Sequence, residues 1–123
     1  MEPLKIEPTS DTPKVVFDSS SGIFEISERC FPEDATHFFS PLLEWLKSYS
    51  SNPNPTTKLD FKLEYYNTAS SKQLFKLFIL LQELSKKSEV IINWHYNEAD
   101  TDMLLSGERY SKLLNIPFTM VKN

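Results

Sequence analysis

Lys58-Leu59-Asp60-Phe61-Lys62-Leu63-Glu64-Tyr65-Tyr66-Asn67-Thr68-Ala69-Ser70-Ser71-Lys72 changes periodicity part-way along, and the fold follows from where it changes. Leu59, Phe61, Leu63 and Tyr65 alternate with Lys58, Asp60, Lys62 and Glu64, the period of two of a half-buried strand. After Ser71 the apolar residues recur at Leu74, Leu77, Phe78, Leu81 and Leu84, which is helical spacing. Asn67, Thr68, Ser70 and Ser71 lie between, and each can accept a bond from the unpaired N–H groups that open a helix. The stretch reads as a strand Lys58–Tyr65, a capped turn and a helix Thr68–Lys87. A hydroxyl at such a junction is by default a cap and nothing more. It also sits at the positive end of the helix dipole, where an added phosphate would be stabilised.

Working outward, the middle of that helix, Phe75–Leu81, is apolar nearly all round and calls for cover on more than one side. Glu89–Tyr96 is the next strand; its Val90-Ile91-Ile92 run suits a central place, with Asn93 and His95 alternating away from Ile92, Trp94 and Tyr96. Asn97-Glu98-Ala99-Asp100-Thr101-Asp102 is an acidic turn able to cap a third helix carrying Met103, Leu104, Tyr110, Leu113 and Leu114, which Gly107 weakens. Asn115-Ile116-Pro117 ends it, and Phe118–Val121 is a last short strand.

Before the central stretch, Pro13–Phe17 and Ile23–Ile26 form a hairpin around Asp18-Ser19-Ser20-Ser21-Gly22. Phe39, Leu42, Leu43, Leu46 and Tyr49 make one helical stripe, with Trp45 beside it. Pro41 suits the first turn of that helix, after Ser40 as cap and Asp34–Phe38 as a preceding turn; a continuous helix through Pro41 is the alternative. Ser48–Thr57 is a linker, and residues 1–12 read as a loose N-terminal segment. The order β-β-α-β-α-β-α-β implies right-handed crossovers: an α/β domain over 13–123, its mixed, largely parallel sheet bearing an N-terminal hairpin and three helices.

Composition narrows the chemistry. The 123 residues are 40% hydrophobic, enough for one core without staples. A net charge of −4 and no basic cluster beyond Lys86-Lys87 argue against nucleic acid as the ligand. The lone Cys30 excludes an internal disulfide and cysteine-ligated zinc. With no signal peptide and no apolar run long enough to span a membrane, a cytoplasmic protein is expected. Two glycines cannot build a phosphate-cradling loop, and neither G-x-x-x-x-G-K-[ST], G-x-G-x-x-G nor G-x-S-x-G occurs. His95, Glu98, Asp100 and Asp102 are the best remaining constellation for a metal or an enzyme. They lack a calcium loop's central glycine and terminal glutamate, and acids ahead of a helix are what its dipole favours. No catalytic residue, metal site or cofactor is therefore assigned.

A run of markers carries a resemblance over roughly Ile6 to Val121: Thr12-Pro13, Phe17-Asp18, Gly22, Phe31-Pro32-Glu33 and Phe38-Phe39-Ser40-Pro41-Leu42-Leu43-Glu44-Trp45-Leu46. Tyr66-Asn67-Thr68-Ala69-Ser70-Ser71-Lys72 is its most specific part, followed by Trp94-His95-Tyr96, Asp102-Met103, Gly107 and Ile116-Pro117-Phe118. In order and spacing these resemble the SiaC-type regulatory phosphoproteins of bacteria, small domains whose fold is similar to STAS and anti-sigma-factor-antagonist proteins. The resemblance implies that Thr68 is a phosphoacceptor, charged by a dedicated Ser/Thr kinase of the histidine-kinase-like ATPase fold and cleared by a PP2C-type phosphatase. It implies that the unphosphorylated form binds and activates a diguanylate cyclase, in cyclic-di-GMP signalling and biofilm formation. Tyr66, Asn67, Ser70, Ser71 and Lys72 would then shape the partner-binding surface around Thr68, with Ser70 and Ser71 as competing acceptors. The family more often has serine and tyrosine where this chain has Cys30-Phe31, so two hydroxyls are missing from the loop before the first helix. Two other readings compete: a constitutive interaction module in which Thr68 is only a cap, and a small metal-dependent enzyme built on the acidic turn.

Overall fold

The computed structural model describes Met1–Asn123. Six strands, β1 (Leu4–Ile6), β2 (Lys14–Asp18), β3 (Ile23–Cys30), β4 (Thr56–Tyr66), β5 (Glu89–Tyr96) and β6 (Phe118–Lys122), form one sheet. The helices are α1 (Ala35–Tyr49), α2 (Thr68–Leu84) and α3 (Thr101–Leu113). Strands lie in the sheet in chain order, antiparallel from β1 to β3 and parallel from β3 to β6. This is the mixed, largely parallel α/β arrangement expected. Because every crossover steps the same way across the sheet and each is right-handed, all three helices land on one face. The strands therefore alternate. Val15, Phe17, Phe24, Ile26, Leu59, Phe61, Ile92 and Trp94 are buried under the helices, and Lys58, Asp60, Lys62, Asn93 and His95 take the open face.

The segment read as loose contributes a strand: Leu4 and Ile6 pair with Phe17 and Val15, and the Trp45 indole donates to the Glu2 carbonyl at 2.8 Å. Three residues are too few to show alternation, so only the partner strand makes β1 visible. The hairpin closes with Gly22 at φ +75°, a conformation a side chain resists. The first helix does not start at Ser40. Asp34 caps it, accepting from His37 N at 3.0 Å, and the helix runs through Pro41. Pro41 and His37 both lie on the exposed side, so the carbonyl that Pro41 leaves without a donor faces solvent.

At the N-terminal end of the parallel strands a buried polar chain staples the layers. The Tyr49 hydroxyl meets Thr57 Oγ1 at 2.8 Å, Thr57 meets Ser88 Oγ at 2.8 Å, and Ser88 donates to the Asn54 carbonyl at 2.8 Å. No helix is long and apolar enough to cross a membrane.

Candidate functional site: the groove beside Thr68

The opposite end of the sheet is open, and its geometry begins with a break in β4. Glu28 pairs with Leu63, but Arg29 pairs with Tyr65, so β4 carries one extra residue, Glu64, against β3. Glu28 takes φ +77° there, in the left-handed region. A bulge of this kind reverses which residues face in. Tyr65, expected on the apolar face with Leu59, Phe61 and Leu63, is instead 51% exposed and packs against Phe31 at 5.7 Å. Tyr66 turns inward, edge-on to Trp94 at 6.1 Å. Asn67 N then donates to the Cys30 carbonyl at 3.1 Å, tying the end of β4 to the end of β3.

Asn67 is the cap of α2: its backbone is extended, and its side-chain oxygen accepts from Ser70 N at 2.9 Å. Thr68 follows as the first helical residue and is exposed. The three hydroxyls of the turn are thus not equivalent. Ser70 is fully buried. Its Oγ lies close enough to the Cys30 thiol to lower that group's pKa slightly, but no partner meets hydrogen-bonding geometry. Burial dominates at Cys30 and pushes the thiol up to about 11. Ser71 is half-buried, and its Oγ donates to the Thr68 carbonyl at 2.7 Å. Thr68 alone of the three is open to solvent. The first turn of α2 holds no acidic residue, so no carboxylate of its own offsets the positive end of its dipole.

α3 supplies the facing wall. Asp100 caps it, accepting from Met103 N at 2.9 Å, and the buried Trp94 indole donates to the Met103 carbonyl at 2.9 Å. Gly107 is where α3 lies against that indole: a Cβ there would stand 2.4 Å from Trp94 Cδ1 and 2.8 Å from Met120 Sδ. The glycine that weakens the helix is what lets it come this close. One turn later the Tyr110 hydroxyl donates to the Ser71 carbonyl at 3.2 Å, pinning α3 to the first turn of α2. Burial, and to a lesser degree the neighbouring Tyr66 hydroxyl, hold the Tyr110 phenol well above its usual pKa, so it stays a donor.

Between the helices lies an open groove of about 970 Å³. Tyr66, Asn67, Thr68, Ser71 and Lys72 all line it, whereas Ser70 does not. Its apolar floor includes Phe75 and Leu113, 37% and 61% exposed. Phe75 had read as part of a helix stretch needing cover, and Leu113 as an apolar position of the third helix. Sequence reasoning missed the wall formed by Ser106, Arg109 and Tyr110. Their spacing marks one helix face, but nothing in that spacing says the face looks across at Thr68.

The other candidate constellation does not converge. His95 Nε2 meets Asp60 Oδ1 at 2.9 Å on the open sheet face, Glu98 pairs with Lys122 at 3.6 Å, and Asp100 is engaged as a cap. No group of three or more His, Cys, Asp or Glu side chains is placed to hold a metal ion.

Comparison with known proteins agrees with the fold. SiaC of Pseudomonas aeruginosa superposes with a TM-score of 0.90 at 24% identity, covering 100% of both chains. A chain in the structure of the diguanylate cyclase SiaD with its activator SiaC, from the same organism, superposes at 0.91, with 24% identity over 98% of this chain and 99% of that one. An uncharacterized protein of Pseudomonas aeruginosa (strain UCBPP-PA14) is 25% identical over 121 residues, 98% of this chain and 96% of its own. The model of the SiaC family regulatory phosphoproteins matches residues 6–123, and this chain belongs to that family of regulators.

Proposed function

We propose that the protein is a cytoplasmic phospho-switch whose acceptor is Thr68. A Ser/Thr kinase adds the phosphate, a PP2C-type phosphatase removes it, and the unphosphorylated form binds a diguanylate cyclase through the groove between α2 and α3. The observation that carries this reading is the inequality of the three hydroxyls. Ser70 is buried, Ser71 is bonded to the backbone, and Thr68 is exposed on the rim of the groove. A phosphate on Thr68 adds about 1.5–2 negative charges to the rim of a groove that Phe75 and Leu113 also line, without entering the core. Burying that charge in an interface would cost several kcal/mol, on the order of 2–5, enough to change partners without unfolding the domain. The solved complex of the cyclase SiaD with its activator SiaC supports a cyclase as the class of partner.

Phosphosite mapping by mass spectrometry, on protein from its own cells beside a Thr68→Ala variant, tests the acceptor. A phosphate on Thr68 that vanishes in the variant is expected. Phosphate elsewhere, or none under any growth condition, leaves Thr68 as an ordinary first-turn residue. Pull-down of the cyclase with the Thr68→Ala and Thr68→Asp forms tests the output, the first retaining it and the second losing it.

A further inference from the structure

The groove holds more positive charge than its structure uses. Lys72 and Lys76 follow Thr68 at four and eight residues along α2, on the face that lines the groove, and Arg109 stands opposite on α3. None of these three makes an ion pair, although the chain forms four lysine–glutamate pairs elsewhere. Three acidic side chains line the same groove; Asp100 caps α3, and neither Glu64 nor Asp102 forms an ion pair with Lys72, Lys76 or Arg109. The backbone that carries Arg109 is held by its neighbour. Tyr110 is bonded to the Ser71 carbonyl, one turn from Thr68, and the Arg109 charge lies close enough to that phenol to oppose its upward shift.

We propose that Arg109 reads the phosphate on Thr68 from across the groove, in an intramolecular guanidinium–phosphate pair that Lys72 supports. The idea rests on the reading of Thr68 as acceptor and adds what the phosphate does to the protein's own surface. A planar guanidinium can bond two phosphate oxygens at once, whereas a lysine offers a point charge. The pair bridges α2 and α3 across the mouth of the groove that Phe75 and Leu113 also line, so phosphorylation changes the shape of this surface as well as its charge. Arg109 is exposed and unpaired in the unphosphorylated form, so replacing it leaves the fold intact.

The test uses full-length protein carrying phosphothreonine at position 68, installed during synthesis by an expanded genetic code and compared with Arg109→Ala, Arg109→Lys and Lys72→Ala. The readout is the second ionisation of the phosphate, followed by phosphorus NMR against pH. A nearby guanidinium should hold that pKa about one unit or more below the value in Arg109→Ala, with Arg109→Lys between the two and Lys72→Ala shifted less. Phosphorylation should also raise the melting temperature of the parent protein and not that of Arg109→Ala. A phosphate that titrates alike in the parent and in Arg109→Ala overturns the proposal. Because the phosphothreonine is incorporated during translation, that result is independent of whether a cellular kinase phosphorylates Thr68, which the mass-spectrometric experiment decides.

Discussion

Asn67 and Thr68 are neighbours with separate duties, and substitutions can part them. Asn67 closes the first turn of α2, so Asn67→Ala should cost about 1 kcal/mol in urea unfolding. Thr68 contributes no cap, and Thr68→Ala should stay within about 0.5 kcal/mol of the parent. A large loss for Thr68→Ala would mean that its hydroxyl holds the turn. Cys30 gives a pH test. In the unfolded chain its thiol ionises near 9.0, and in the folded protein burial moves it to about 11. Between those values the unfolded state has lost a proton that the folded state keeps, so stability falls as pH rises. The full contribution is present below pH 9 and is worth on the order of 2–3 kcal/mol. Cys30→Ala should flatten that alkaline fall relative to the parent, whatever its constant offset; parallel curves would show that the thiol is not protected. Of these residues, sequence offered all four polar side chains of the turn as equivalent caps. Only the register of α2 on the sheet, which no local pattern encodes, buries Ser70 and leaves Thr68 out.

Among the elements, α3 is the one whose position matters most to the site. Gly107→Ala should improve intrinsic helix propensity by about 1 kcal/mol. Its methyl would nevertheless meet Trp94 Cδ1 at 2.4 Å, and overpacking of that kind costs about 1–3 kcal/mol. The expected net result is a less stable protein with a displaced α3, read as a lower urea midpoint and altered Trp94 emission; a more stable variant would mean that α3 moves away freely. The helices and five of the six strands were legible, because each is long enough to show its period. The bulge was not. Glu64 and Tyr65 continue the alternation of β4 without a flaw in sequence, and only the pairing of Arg29 with Tyr65 reveals that the parity has changed. The same limit hid the groove wall on α3. A single helix can announce its buried face, but which neighbour its exposed face confronts is decided by the crossover that delivers it.

For the molecule as a whole, the two ends of the sheet divide the work. One is closed by the buried hydroxyl chain through Tyr49, Thr57 and Ser88; the other opens into the groove. Damage at the far edge should therefore lower stability without touching the groove. Removing residues 1–7 deletes β1 and the carbonyl that accepts the Trp45 indole. It should cost about 1–3 kcal/mol in urea unfolding, the range for a stranded polar group. Phosphate transfer to Thr68 by cell extract should be unchanged under conditions where the truncated chain stays folded; loss of transfer there would couple the two ends.

The strict chain order of the strands has a consequence for how the protein is made. Each strand pairs with the one synthesised just before it, so the sheet can grow as the chain leaves the ribosome, with no strand inserted between two already joined. Thr68 emerges midway, with the far wall of its groove still unmade. The surface that distinguishes it from any other threonine is complete only when α3 docks on Trp94 and Tyr110 reaches Ser71. Nascent and unfinished chains therefore carry Thr68 but not the groove beside it, and an enzyme that recognises the groove would act on finished molecules alone.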